Sequence, residues 1–170
     1  LPLLALRICK IWDSEYPWDV RAEKVSRALT LASHDVHLIA RNRKRGPVLE
    51  RLPEATVHRL SSWAWASDAA NAASMFPAFL NPRWVSIIER TATETRADLL
   101  LVRDLPLAPA AVWVGRRLGL PVVLDMAENY GAMMQSLYDN GIQRPWDFVV
   151  RNPRIVRALE VIDATGVSLA

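Results

Sequence analysis

The sequence predicts an α/β domain built on a Rossmann-like, doubly wound, mainly parallel sheet flanked by helices. Three observations predict it. Leu99 to Val102 and Val122 to Leu124 are short, unbroken apolar runs, the pattern of strands buried on both faces. Such runs alternate with helical periodicity along the chain, which is how a parallel sheet is written. The stretch Ala97 to Tyr130 forms a complete strand–helix–strand unit with its punctuation in place. Pro106 falls near the helix start, where a missing N–H costs nothing, and Pro109 within its first turn. Gly119 falls just past the helix end, the position of a left-handed cap. In an open sheet of this kind the crossover is right-handed, and ligands bind beyond the carboxyl ends of the strands. Those ends carry Arg103, Asp104, Asp125 and Glu128, so function is sought there.

In chain order, Leu4 to Ile11 reads as the first strand, followed by the loop Trp12 to Trp18. A helix is expected from about Asp19 to Ser33, with Ala22, Val25, Ala28, Leu29 and Ala32 facing inward. Asp19, or Asp13 if the turn is longer, can cap it. Val36 to Ala40 is a second strand and Thr56 to Leu60 a third, with the basic tract Arg41 to Arg45 between them. Ser61 to Phe79 is read as one or two short helices. Asn81-Pro82 opens another helix, Asn as N-cap and Pro in the first turn, with Trp84, Ile87, Ile88 and Thr91 pointing inward. After Tyr130, helices are expected over 131–138 and 145–162.

Composition narrows the classes. The 170 residues carry 51% apolar side chains, enough for a core, and a net charge of +3. The excess of basic residues is not interleaved with aromatics as in RNA binders, so nucleic acid is not an expected partner. A single cysteine, Cys9, excludes an internal disulfide and a cysteine zinc cluster, and its strand position predicts a buried, inert thiol. No apolar run approaches the roughly 20 residues of a spanning helix. Leu1 to Leu6 lacks a basic lead-in and is read as strand rather than signal peptide; the missing initiator Met suggests a trimmed chain.

The loop after the first strand has no glycine, so a dinucleotide fingerprint is absent. It offers Asp13, Ser14, Glu15, Tyr16 and Trp18 instead, groups that suit a polyol such as a sugar and equally a surface loop. Asp125 and Glu128 can accept hydrogen bonds from sugar hydroxyls or act as bases; they can also cap the next helix. Asp104 is placed either to cap or to bind. His34, His37 and His58 lie away from these ends, so no metal pair gains support. No Ser-His-Asp or Cys-His set assembles. The basic tract can face anionic lipid headgroups or a phosphorylated acceptor, or simply solvent. Trp63 to Phe79 is either an interfacial or docking patch or ordinary packing.

Two stretches then combine. Tyr16 to Leu29, leading to His34 to Arg41, and Ala97 to Leu107, leading through Arg116 to Asp125 and Glu128 to Tyr130, together resemble the N-terminal domain of family 4 glycosyltransferases of the GT-B fold. The resemblance spans roughly residues 5 to 160. It implies a retaining transfer of a sugar, of the hexosyltransferase type, from a nucleotide-sugar to a glycan or lipid-linked acceptor in polysaccharide biosynthesis. It implies no cofactor and no metal. It also implies that the whole chain, 1–170, is one acceptor-side domain, truncated and inactive alone, with the nucleotide-sugar held by an absent C-terminal domain. Such an enzyme is expected in the cytoplasm, peripheral at the inner face of the membrane. Glu128 and Asp125 are the expected catalytic residues. Asp13, Glu15, Tyr16, Arg21, Arg103, Asp104 and Asn129 are the expected substrate-binding ones. Arg103 and Ala127 stand where many members carry histidine, which leaves Glu128 nearest the reacting sugar. The alternative function is a non-catalytic α/β module that docks a partner through Trp63 to Phe79.

Overall fold

The computed structural model of the chain describes residues 4–75 and 78–126. Six strands, β1 (Arg7–Trp12), β2 (Asp35–Ala40), β3 (Leu49–Leu52), β4 (Ala55–Arg59), β5 (Leu99–Arg103) and β6 (Val122–Asp125), form one sheet. Its order is β3-β4-β2-β1-β5-β6, and every pairing is parallel except that of β3 with β4. Four helices accompany it: α1 (Val20–Leu31), α2 (Asp68–Ala73), α3 (Pro82–Glu94) and α4 (Ala108–Leu118). All of them lie in the unit Leu1–Asp125. The helices expected over 131–138 and 145–162, with Ala127, Glu128, Asn129 and Tyr130, lie outside the described residues.

Alternation along the strands sorts the two faces. On one, Trp12, Ala22, Val36, Leu38, Ala40, Ala55 and Val57 make a single buried cluster under α1. On the other, α3 packs over β1 and β2 while α4 packs over β5 and β6. Trp84, Ile88, Leu100, Val102 and Val114 are fully buried there. Gly115 fixes how closely α4 approaches: a Cβ at this position would lie 2.5 Å from Val122 Cγ2 and 3.0 Å from the Leu120 carbonyl. Gly119 takes the expected left-handed cap at φ 67° and ψ 29°. Asn81 caps α3 through Arg83 N at 3.0 Å, and all four residues expected to face inward on α3 are buried.

Four expectations are corrected. The first strand starts at Arg7 rather than Leu4, because Arg7 is where pairing with Asp35 begins. The edge strand β3 was not foreseen: its sequence Leu-Glu-Arg-Leu carries two charges, and the hairpin turn Pro53-Glu54 that returns it to β4 has no glycine. The inward face of α1 is only partly the expected one: Ala22 and Leu29 pack on the core cluster, whereas Ala28 and Ala32 do not. Ala22 and Ser26 are its buried residues and Ala28 is exposed, because Ser26 is needed by the strand beneath, as described below. The helix before Gly119 begins later than expected, since Leu105–Leu107 is a separate 3-10 turn that carries Pro106.

On the α3 side, His37 on β2 and His58 on β4 place ring nitrogens 3.1 Å apart, and the other His37 nitrogen lies 3.2 Å from Asp35. Burial, then the His37 ring, then Arg90 push His58 down to about 4. The native state therefore holds His58 neutral where the unfolded chain, with a pKa near the ordinary 6.5, binds a proton. Stability from this site is complete above about pH 6.5 and is lost as pH falls toward 4. We expect urea unfolding at pH 5 to give a stability roughly 1–2 kcal/mol below that at pH 7, after allowance for partial solvent access. His58→Asn should remove this slope; an unchanged slope would place the acid sensitivity elsewhere.

Candidate functional site

The strand order reverses at β1, whose neighbours are β2 on one side and β5 on the other. This is the switch point, and the crevice beyond the carboxyl ends there is where doubly wound sheets take ligands. Register places Trp12 beside Arg103, and Arg103 beside Asp125. Residues side by side on parallel strands share a face, so all three point to the α1 side.

Arg103 is the centre of the crevice. It is 5% exposed, and its guanidinium meets carboxylates from three segments. Asp125 Oδ2 accepts from Nη1 at 3.5 Å, Asp19 Oδ1 lies 3.8 Å from Nη2, and Asp104 Oδ2 lies 3.8 Å from Nε. The buried Nε finds no hydrogen-bond acceptor among the described residues. Asp19 also caps α1, accepting from Arg21 N at 2.8 Å and Ala22 N at 2.9 Å. One carboxylate thus ties the start of α1 to the end of β5. Asp104 makes no capping bond to the turn that follows, one of the two roles open to it; it holds φ 67° and ψ 157°. This backbone region is populated almost only by glycine and costs an aspartate about 1–3 kcal/mol.

Beneath Arg103, on the same face, Lys10 is fully buried in mid-strand. Its Nζ donates to the Ala22 carbonyl at 2.7 Å and to Ser26 Oγ at 3.1 Å, which is why α1 turns a serine inward. Burial, then repulsion from Arg103, lowers it to about 8, against the pull of Asp125 and Asp19. Two stacked cations and three carboxylates therefore balance one another at the strand ends. The carboxylates are thus held at the strand ends by the cations beneath them.

The structure brings together Arg103, Asp104 and Asp125 of the expected site residues. It adds two that the sequence reading did not assign to the crevice, Asp19 and Lys10. Lys10 was legible as a charge inside the apolar run Arg-Ile-Cys-Lys-Ile-Trp, and Asp19 was read as a cap alone. Asp13 and Glu15 sit one loop away. Asp13 accepts from Arg41 Nε, and Glu15 Oε1 accepts from Arg43 N at 2.6 Å. Tyr16 is buried, and its hydroxyl donates to Glu54 Oε1 at 2.8 Å, at the amino end of β4. Burial, then Glu54, pushes its pKa up. Arg21 is exposed on the first turn of α1. Glu128 and Asn129 lie outside the described residues. Cys9 is the buried thiol expected, pushed up to about 12 by burial. Among the described residues no group of three or more His, Cys, Asp or Glu side chains is placed to hold a metal ion.

A six-stranded, mainly parallel sheet wound on both faces, with a charged crevice at the reversal of strand order, is the Rossmann-like half of a GT-B glycosyltransferase architecture. The family model described as "Glycosyl transferase 4-like domain" matches residues 19–162, and the chain belongs to that family. Glycosyl transfer is the general chemistry that this membership supports. Among solved structures, the chain is similar to CalG4, the calicheamicin glycosyltransferase, with a TM-score of 0.52 and 14% identity. The match covers 96% of this chain and 41% of CalG4, so the chain spans less than half the length of that protein. No curated protein matches the chain.

Proposed function

We propose that the chain is the acceptor-side domain of a retaining, hexosyltransferase-type glycosyltransferase. In this reading the sugar passes from a nucleotide-sugar to a glycan or lipid-linked acceptor in polysaccharide biosynthesis. A second domain holds the donor, and the chain alone turns over nothing. One observation carries the reading: Arg103 gathers Asp19, Asp104 and Asp125 at the switch point within 3.5 to 3.8 Å. Such a set is chemically suited to a polyol. Carboxylates accept from acceptor hydroxyls, and Arg103 beneath them fixes their spacing. Asp125, 34% exposed at its side chain, is the carboxylate best placed to orient the attacking hydroxyl, with Glu128 three residues on as its companion. Asp13, Glu15, Arg21 and Asn129 complete the proposed substrate-binding set, the first two by shaping the loop that walls the crevice; Tyr16, buried with its hydroxyl on Glu54, supports that loop from below instead. No metal or cofactor has a part in it.

The test uses the protein together with its donor-binding domain. Asp125→Asn and Glu128→Gln should each lower turnover by about 10²-fold, the lower end of what a positioned acid–base group contributes. Folding should be preserved, because both replacements keep size and polarity. Unchanged turnover in either variant would remove that residue from the site.

A further inference from the structure

The loop between β4 and α2 displays tryptophan to solvent on a fixed support. Trp65 is 82% exposed and Trp63 39%. Their rings stack with centroids 5.4 Å apart and planes 11° from parallel, and the Arg83 guanidinium lies 4.5 Å over a Trp63 ring. The backbone beneath is pinned. Asn71 accepts from Trp63 N at 2.8 Å and donates to the carbonyls of Trp63, Ala66 and Ser67 at 3.1 to 3.2 Å. Arg83 also holds the Ser61 carbonyl and Ser74 Oγ. Water penalises a large apolar ring held this way, so its fixed exposure calls for an occupant.

The basic tract lies alongside. Ser62 Oγ donates to the Asn42 carbonyl at 3.0 Å, and Arg45 reaches Asp68 at 2.8 Å and the Ala66 carbonyl at 3.4 Å. Arg43 and Lys44, between these anchors, are exposed. Both loops follow the carboxyl ends of β2 and β4. The basic one also grips the crevice wall, where Arg41 N donates to the Ser14 carbonyl at 2.8 Å.

We propose that this surface docks the domain onto an anionic phospholipid bilayer. Indole rings favour the membrane–water boundary, where an apolar body and a polar N–H are both satisfied. Clustered Arg and Lys beside them meet anionic headgroups. The patch sets exposed indole rings and exposed cations on two loops that are bonded to each other, which fits a soft, charged plane. A protein partner would need a complementary surface of about 1,000 Å² or more. Among the described residues no helix is long and apolar enough to cross a membrane, so the contact is superficial. Docking by these loops sets the crevice beside the lipid surface, where a lipid-linked acceptor would lie. That last consequence rests on the transferase reading; the docking itself does not.

The experiment sediments the chain with vesicles of phosphatidylcholine alone and of phosphatidylcholine mixed with phosphatidylglycerol, without any sugar. Binding is expected only to the anionic vesicles and should fall as salt rises above about 0.1 M. Trp65→Ser should weaken it about tenfold. Arg43→Glu combined with Lys44→Glu should weaken it by about 25-fold or more, at roughly fivefold per basic side chain near the surface. All three side chains are exposed, so the melting temperature of each variant should match the parent. Absence of binding by the parent, or variants that bind as tightly as the parent, would overturn the proposal. So would self-association that Trp65→Ser abolishes while no vesicle is bound, which would give the patch to a second copy of the chain. None of these failures touches the transferase reading, which is tested on acceptor turnover.

Discussion

Arg103→Met is expected to lower acceptor turnover by roughly 10²-fold or more in the protein with its donor domain. The reason is geometric before it is chemical. Among the described residues the guanidinium meets Asp19 from the cap of α1, Asp104 from the end of β5 and Asp125 from the end of β6. Without it, the three carboxylates are left together, with Lys10 beneath still attracting Asp19 and Asp125. They separate, and the hydroxyl-binding geometry goes with them. The fold should lose only about 2 kcal/mol, because the carboxylates are partly exposed and water can take over some of the lost contact. Arg103→Lys keeps the charge but not the planar fork. It should restore most of the stability and only part of the turnover. Turnover near the parent's in Arg103→Met, measured alongside a normal melting curve, would mean that Arg103 is structural only.

The second large effect is on stability. Arg59→Met should cost about 3–5 kcal/mol, the usual penalty for breaking a buried charge network from one side. Arg59 is 5% exposed at the end of β4. Its guanidinium donates to the Pro47 carbonyl at 2.9 Å, to the Tyr16 carbonyl at 3.0 Å and to Glu50 on β3. It therefore joins the loop after β1, the approach to β3 and the edge strand itself. A neutral side chain leaves those carbonyls without a donor and releases the hairpin. The melting temperature should fall by roughly 10 °C for a domain of this size. A fall of one or two degrees would show that water replaces the guanidinium at little cost.

Much of this architecture could be read from the chain because its signals are local. The buried runs that became β5 and β6, the Asn81-Pro82 start of α3 and the Gly119 cap each depend on a few neighbouring residues. The misses are tertiary. Nothing local marks Leu49–Leu52 as a strand; it exists because β4 offers an edge. Ser26 looks like an outward residue of α1 until Lys10 is placed beneath it. The site was legible where a strand ended in charge, at Arg103, Asp104 and Asp125. It was illegible where the loop could close in more than one direction. The chain alone does not show that Asp13 and Glu15 meet Arg41 and the Arg43 amide of the neighbouring loop. Tyr16 follows the same loop downward to Glu54.

The backbone of Asp104 carries a consequence for how the chain changes over generations. At φ 67° and ψ 157° it occupies ground where glycine would sit without penalty. Glycine here would ease the backbone but give up the carboxylate beside Arg103. An aspartate kept here therefore marks a backbone cost borne for a carboxylate at the strand end.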